Sequence, residues 1–182
     1  RMGRVITGAV MQVYDKMRYV DVDKLKYVFK VALAPANKAD PALLPEAHRI
    51  NDMYVSGMTQ QEILPDVKGM LRTTIIAEAG RMVRLENAPD YFEMPMTGIA
   101  VGPVAFIGIP GEPFSGVGFS LKETEGWAMI LPTCNTNGKE GYFPMKEAYD
   151  EGGYEARSSN FKAGIAELIC EEGKKILAEM AE

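Results

Sequence analysis

The chain is short of the residues that usually mark a self-contained site. Among 182 residues it has one histidine, His48, and two cysteines, Cys134 and Cys170. Two cysteines so far apart exclude a disulfide framework and a structural zinc cluster. Two buried thiols in a reducing compartment are the expectation. No apolar run approaches the roughly 20 residues that a bilayer span requires. There is no basic stretch, and the formal net charge is -5, so neither nucleic acid nor an anionic membrane is an expected partner. Internal repeats, low-complexity tracts and a signal-peptide pattern are all missing. The chain opens on Arg1, not methionine, and runs straight into an amphipathic segment with no capping residue. The expectation is a piece of a longer polypeptide, residues 1–182 forming one unit of it. The compartment is left unknown: with no signal pattern in hand a cytoplasmic location is favoured, although preceding sequence would carry any targeting signal.

What is present is ordinary for a globular chain. Hydrophobic residues make up 47% and charged residues 25%, enough for a real core. Apolar spacing predicts helices over Gly3–Met17, Pro45–Met58 and Asp66–Asn87. In the last of these, Val67, Met70, Leu71, Thr74, Ile75, Met82 and Val83 form the expected buried stripe. Alternation between Tyr19 and Leu33 predicts an exposed-face strand or a hairpin in two pieces. Residues 34–41 read as a linker, and Tyr91–Pro95 as a loop leading into a strand over 96–102. His48 lies on the second helix with no other ligand at helical spacing, so a surface or packing role is expected. A final helix should bury Ile165, Leu168, Ile169, Ile176 and Met180, with Ser158-Ser159-Asn160 as its N-cap cluster. The twelve methionines read as core filler.

The chain is organised around Gly108-Ile109-Pro110-Gly111-Glu112-Pro113-Phe114. Val104–Ile107 before it is apolar without alternation, as a strand buried on both faces is. A short weak helix, 115–122, follows, and then a second apolar run, 127–134. Strand, helix and strand in that order make a parallel pair with a right-handed crossover. The expected fold is therefore α/β: a mixed sheet with a parallel β-α-β core, strands near 104–109 and 127–134, covered by helices. The carboxyl ends of those two strands lie together if the strands are neighbours. That sets Glu112 beside the loop from Asn135 to Tyr142, where open α/β sheets bind ligands.

Three roles for Glu112 compete on the residues alone. It caps or complements the following helix; or the glycines around it cradle a phosphate, against which stand the wrong spacing and the carboxylate itself; or it is a metal ligand, since zinc takes carboxylate oxygen and a catalytic site keeps one position for water. Without further information the helix role leads.

Three short motifs alter that order. Pro110-Gly111-Glu112 ends a strand, Asn135 opens a loop that closes on Tyr142, and Tyr154-Glu155 follows Tyr142 after twelve residues. In this order and spacing they resemble the C-terminal half of the catalytic domain of neutral/alkaline, non-lysosomal ceramidases. The resemblance covers roughly the last eighty residues. It implies a zinc amidohydrolase in which Glu112 and Tyr142 each give an oxygen to the zinc alongside two histidines. It further implies that Tyr154 stabilises the oxyanion formed when zinc-activated water attacks an amide carbonyl. Such a metal lowers the pKa of water to roughly 7, and one aimed donor is worth about 3 kcal/mol.

The departures set limits on the resemblance. The family draws its histidines from its N-terminal half, and His48 stands outside any matching motif. The N-terminal half of the same protein is thus the expected partner, with a small acyl-amide or lipid-like substrate. Pro113-Phe114-Ser115 replaces the threonines and basic helix of the well-studied ceramidases beside the substrate, and the short loops offer no groove for two lipid tails, so ceramide itself is not carried over. The reading is a zinc-dependent hydrolase of an N-acyl bond. The alternative is an inactive relative serving as a binding or structural module, and a third reading is an independent domain without metal. A homo-oligomer is left open.

Overall fold

The structure, a computed structural model, describes all of residues 1–182. In chain order the elements are α1 (Met2–Tyr14), β1 (Leu25–Pro35), a 3-10 turn (Pro41–Leu43), α2 (Leu44–Val55), α3 (Gln60–Ile63) and α4 (Met70–Leu85). Then come β2 (Tyr91–Val101), β3 (Val104–Gly108), β4 (Glu112–Pro113), α5 (Ser115–Lys122), β5 (Met129–Thr133) and β6 (Tyr142–Phe143). The chain closes with α6 (Lys146–Glu151), α7 (Tyr154–Ser158) and α8 (Ile165–Ala181). The main sheet has the order β1-β2-β3-β5. Its first two pairings are antiparallel, while β3 and β5 run parallel with α5 as the crossover. A mixed sheet with a parallel β-α-β core is the α/β fold the apolar runs imply.

One face of the sheet is covered and the other is bare. Val28, Ala32, Met94, Met96, Ala100, Ala105, Ile107 and Ile130 point to the covered face and form one core with α5 and α8. Gly98 lets α8 come close: an added Cβ would stand 2.2 Å from Ile176 Cγ2. The opposite face carries Leu25, Tyr27, Phe29, Val31 and Leu33 of β1, between 47% and 73% exposed, with Ile99 and Met129 beside them. The period of two along β1 puts every second residue on that face. A smaller core of Ala47, Ile50, Ile63, Ile76 and Ala79 joins α2, α3 and α4.

Buried Arg81 ties the helical unit to the sheet unit. Its Nε donates to Arg157 O at 2.8 Å, a guanidinium N–H donates to Asn37 O, and Glu78 lies 3.7 Å away. Burial pushes the Arg81 pKa down; Glu78 opposes that, and Arg84 adds to it.

Several expectations are corrected by tertiary contacts. The strand predicted from Tyr19 begins only at Leu25, and no hairpin forms. Ala34 and Pro35, read as linker, finish β1 because Ala34 is fully buried opposite Phe92. Tyr91–Pro95 is strand, not loop, since β1 offers it a partner along its whole length. Pro95 cannot donate to that ladder, but fully buried Met94 and Met96 on either side hold the segment in register. In α4 the buried residues are Thr74, Ile76, Ala79, Arg81 and Leu85, while Met70 and Leu71 are exposed. Of the expected stripe, Thr74 is buried and Ile75, Met82 and Val83 pack half-buried on the smaller core, while Arg81 is buried through its bond to Arg157 of α7. Ser158-Ser159-Asn160 does not cap α8, which starts at Ile165 behind Gly164 at φ 104°. Cys134 is exposed and only Cys170 is buried. Four of the five residues of α8's predicted face, Ile165, Ile169, Ile176 and Met180, are buried, and Leu168 is half-buried. The first helix forms, yet none of its residues is buried.

Candidate functional site

Glu112 sits at the carboxyl end of β3, where the chain is zipped to the loop after β5. Backbone N–H groups of Asn135, Thr136 and Glu140 donate to the carbonyls of Gly111, Ile109 and Pro110 at 2.8–2.9 Å. In return, Ile109 N–H donates to Thr133 O and Glu112 N–H to Gly141 O, both at 2.8 Å. Asn135 and Asn137 take left-handed φ values of 50° and 65° to make the turn, which asparagine tolerates better than most residues. The result is a second, two-stranded parallel sheet in which Glu112 is the register partner of Tyr142.

That register decides the geometry. Residues directly matched in a parallel pair put their side chains on the same face, with strands about 4.8 Å apart. The carboxylate of Glu112 is exposed and Tyr142 is half-buried beside it. Tyr154, the first residue of α7, packs edge-on to Tyr142 with ring centroids 6.1 Å apart and planes at 74°. Burial raises the Tyr142 pKa above its ordinary value near 10, and the charges of Glu112, Tyr154 and Glu155 act in the same direction. The phenol of the metal-free chain is therefore neutral at pH 7. Because the folded pKa is the higher one, its contribution to stability is present below about pH 10 and is lost as pH rises further.

The three residues singled out from the sequence, Glu112, Tyr142 and Tyr154, are thus brought together. His48 is not with them: its Nε2 lies 2.8 Å from Glu86 Oε2, across α2 and α4. No three His, Cys, Asp or Glu side chains of the chain gather into a group able to hold a metal ion. The Glu112 carboxylate oxygen suits zinc as a donor type, a phenol oxygen such as that of Tyr142 is an unusual one, and the one histidine of the chain is not beside them. No side chain caps α5, whose N-cap position is Phe114, so Glu112 does not serve as its cap.

Two supporting residues were not legible as such. Ser159, 1% exposed, donates from Oγ to Tyr142 O at 2.9 Å and is contacted by the Tyr149 hydroxyl at 3.2 Å. It fixes the backbone that carries Tyr142. Asn160 Nδ2 donates to Glu140 O at 3.4 Å and braces the same loop. Both look like helix-capping residues in sequence, and nothing short of the α7 placement reveals their real partners.

Gly111 is the residue that makes the strand pair possible. A Cβ there would lie 2.6 Å from Gly141 O and 2.6 Å from Cζ of the buried Phe143 ring. Neither can yield cheaply, one being backbone and the other core. Gly111→Ala is therefore expected to destabilise the protein by about 1–3 kcal/mol through overpacking, measured by urea or thermal unfolding. An unchanged midpoint would mean that β4 and β6 are not packed this closely.

Comparison with known proteins bears on the fold. Neutral ceramidase from Pseudomonas aeruginosa superposes with a TM-score of 0.57 at 13% identity, over 88% of this chain and 29% of its own. A ceramidase complexed with C2 matches at 18% identity over 50% of this chain and 16% of its own; its TM-score of 0.44 is too low to bear on the fold. No protein-family model matches the sequence, and no curated protein matches it. The chain has a ceramidase-like fold and spans less than a third of the length of the Pseudomonas aeruginosa ceramidase.

Proposed function

We propose that this chain is the C-terminal part of a zinc-dependent hydrolase of N-acyl bonds, with Glu112 and Tyr142 as zinc ligands and Tyr154 as the carbonyl-oxygen donor. The observation that carries this reading is the Glu112–Tyr142 register with Tyr154 edge-on beside it. A carboxylate and two phenols from three separate segments converge at one corner, where a purely structural turn would need none of them.

When bound, zinc would polarise the scissile carbonyl and activate water near pH 7. The chain's own residues do the rest. Glu112 presents its charge at the strand edge, and the neighbouring Tyr142 oxygen turns to the same side. The Tyr154 hydroxyl can donate a hydrogen bond to the oxygen on which charge builds. Ser159 and Asn160 hold the Tyr142 strand and its loop in place, so that little reorganisation is needed when the substrate arrives.

Two nitrogen ligands must come from further polypeptide, because His48 is engaged elsewhere. The bare sheet face gives that polypeptide a place to pack. Five β1 side chains, Ile99 and Met129 form an apolar surface of the kind that a second sheet covers at about 10 Å separation. The loop bearing Asn137 folds over the end of the same face, where Asn137 bonds Thr97, so chain packed there would reach the Glu112 corner. This favours the rest of the same polypeptide as the partner.

The runner-up, a binding or structural module without catalysis, is favoured by one fact: the donors on this chain are incomplete. Metal analysis of the complete protein separates the two. About one zinc per chain is expected, with affinity falling at least about 10-fold in Glu112→Ala. Zinc retained unchanged in that variant would remove Glu112 from the ligand set, and no zinc in the parent would favour the module.

A further inference from the structure

A cleft of the molecule adjoins the Glu112 corner without including it. It has a volume of about 570 Å³ and lies between α2, α4 and α7, with Asn51, Ile76, Val83, Arg84, Tyr154 and Ser158 among its lining. That volume falls in the range of small-molecule sites, roughly 300–1,000 Å³. Tyr154 belongs to both places. It lines the cleft and packs against Tyr142 on the other side. A molecule whose amide carbonyl reaches the Tyr154 hydroxyl would therefore extend into this cleft.

The lining says what kind of group it suits. Arg84 is the only charged residue in it, and no carboxylate is present, although the chain as a whole carries -5. Arg84 makes no ion pair. Its guanidinium donates to Asn160 Oδ1 at 2.7 Å and to its own helix at Gly80 O, 3.4 Å, leaving N–H donors of its five unused. Asn51, Gln60 and Thr73 add amide and hydroxyl groups to the walls. A hydrocarbon tail would strand these polar groups, whereas a carboxylate would take the planar N–H fork in bidentate fashion.

We propose that this cleft binds the anionic end of the substrate, so that the substrate class is a carboxylate-bearing N-acyl compound, such as an N-acyl amino acid, recognised by Arg84. The assignment rests on the amide-hydrolase reading for what reacts, and on the cleft for what is recognised. Arg84 is a specificity residue. It touches the far end of the substrate and takes no part in bond cleavage. Through Asn160, which it holds at 2.7 Å and which braces Glu140 O, an occupied Arg84 also lies one side chain away from the loop that carries Tyr142.

The test compares two probes that differ only in charge, N-hexanoylglycine and N-hexanoylglycinamide, by calorimetry and by chemical shifts of Tyr54 and Val83 in the cleft. The parent protein should bind the carboxylate about 10-fold or more tightly than the amide, a difference of about 1.4 kcal/mol. Arg84→Gln should erase that preference, and Arg84→Lys should keep part of it, while both keep the parent's thermal midpoint and zinc content. Equal affinity for the two probes, or a preference that survives Arg84→Gln, overturns the assignment. Hydrolysis is read separately. Cleavage of N-acyl amides without regard to the carboxylate would sink the cleft and leave the hydrolase standing. Charge-selective binding at Tyr54 and Val83 without cleavage would support the cleft and count against the hydrolase.

Discussion

Tyr154→Phe is expected to lower kcat for amide hydrolysis by about 10²–10³-fold in the complete protein, with little change in KM. That is the usual loss when one preorganised donor to a developing oxyanion is removed, and its appearance in kcat marks an interaction made only in the transition state. The substitution is clean because the ring stays. Phenylalanine keeps the edge-on contact with Tyr142 at 6.1 Å and leaves α7, which begins at this residue, undisturbed. The stability should therefore change by no more than about 0.5 kcal/mol, as with substitutions away from packing features. A variant with parental kcat would take Tyr154 out of the chemistry. Parallel losses of stability and activity would make it a packing residue only.

Arg81→Met is expected to have the largest effect on stability, about 3 kcal/mol. Methionine matches the length of the aliphatic stem but leaves Asn37 O and Arg157 O without the guanidinium that satisfies them. Hydrogen bonds from a charged donor are worth about 1.5–3 kcal/mol each. The desolvation that pushes the Arg81 pKa down is relieved by the substitution and offsets part of the loss. For a chain of this size the midpoint should fall by about 6–12 °C. Because Arg81 joins α4 to α7 and to the end of β1, the transition should also broaden as the helical unit loosens from the sheet. Parental stability would mean that the two units hold together through their apolar contacts alone.

The parts of this protein that were legible in advance are those that depend on local pattern. Val104–Ile107 and the run ending at Cys134 read as strands because they are apolar without alternation, and the helix between them forces the pair to be parallel. The α8 face was legible from 3.6-residue spacing. Pro110-Gly111-Glu112 stood out because two prolines and a glycine around one carboxylate have few uses other than a corner.

Illegible features were those whose reason lies on another element. Tyr91–Pro95 has the composition of a loop and becomes strand because β1 reaches it. Arg81 has the composition of a surface residue and becomes a buried tie because two carbonyls face it. Ser159 looks like a cap and turns out to hold Tyr142. The Arg84 cleft is assembled from α2, α4 and α7, which no single stretch of sequence describes.

Sequence singled out Glu112, Tyr142 and Tyr154 through a resemblance, and set the first two on adjoining strand ends on the condition that the two apolar strands are neighbours, since the crossover makes such a pair parallel. It could not say that Glu112 and Tyr142 share a register and a face. That was decided by Gly111, whose missing side chain lets the chain approach Gly141 and Phe143 closely enough for β4 and β6 to pair. Register is a matter of one residue's displacement, and only three-dimensional packing discriminates at that scale.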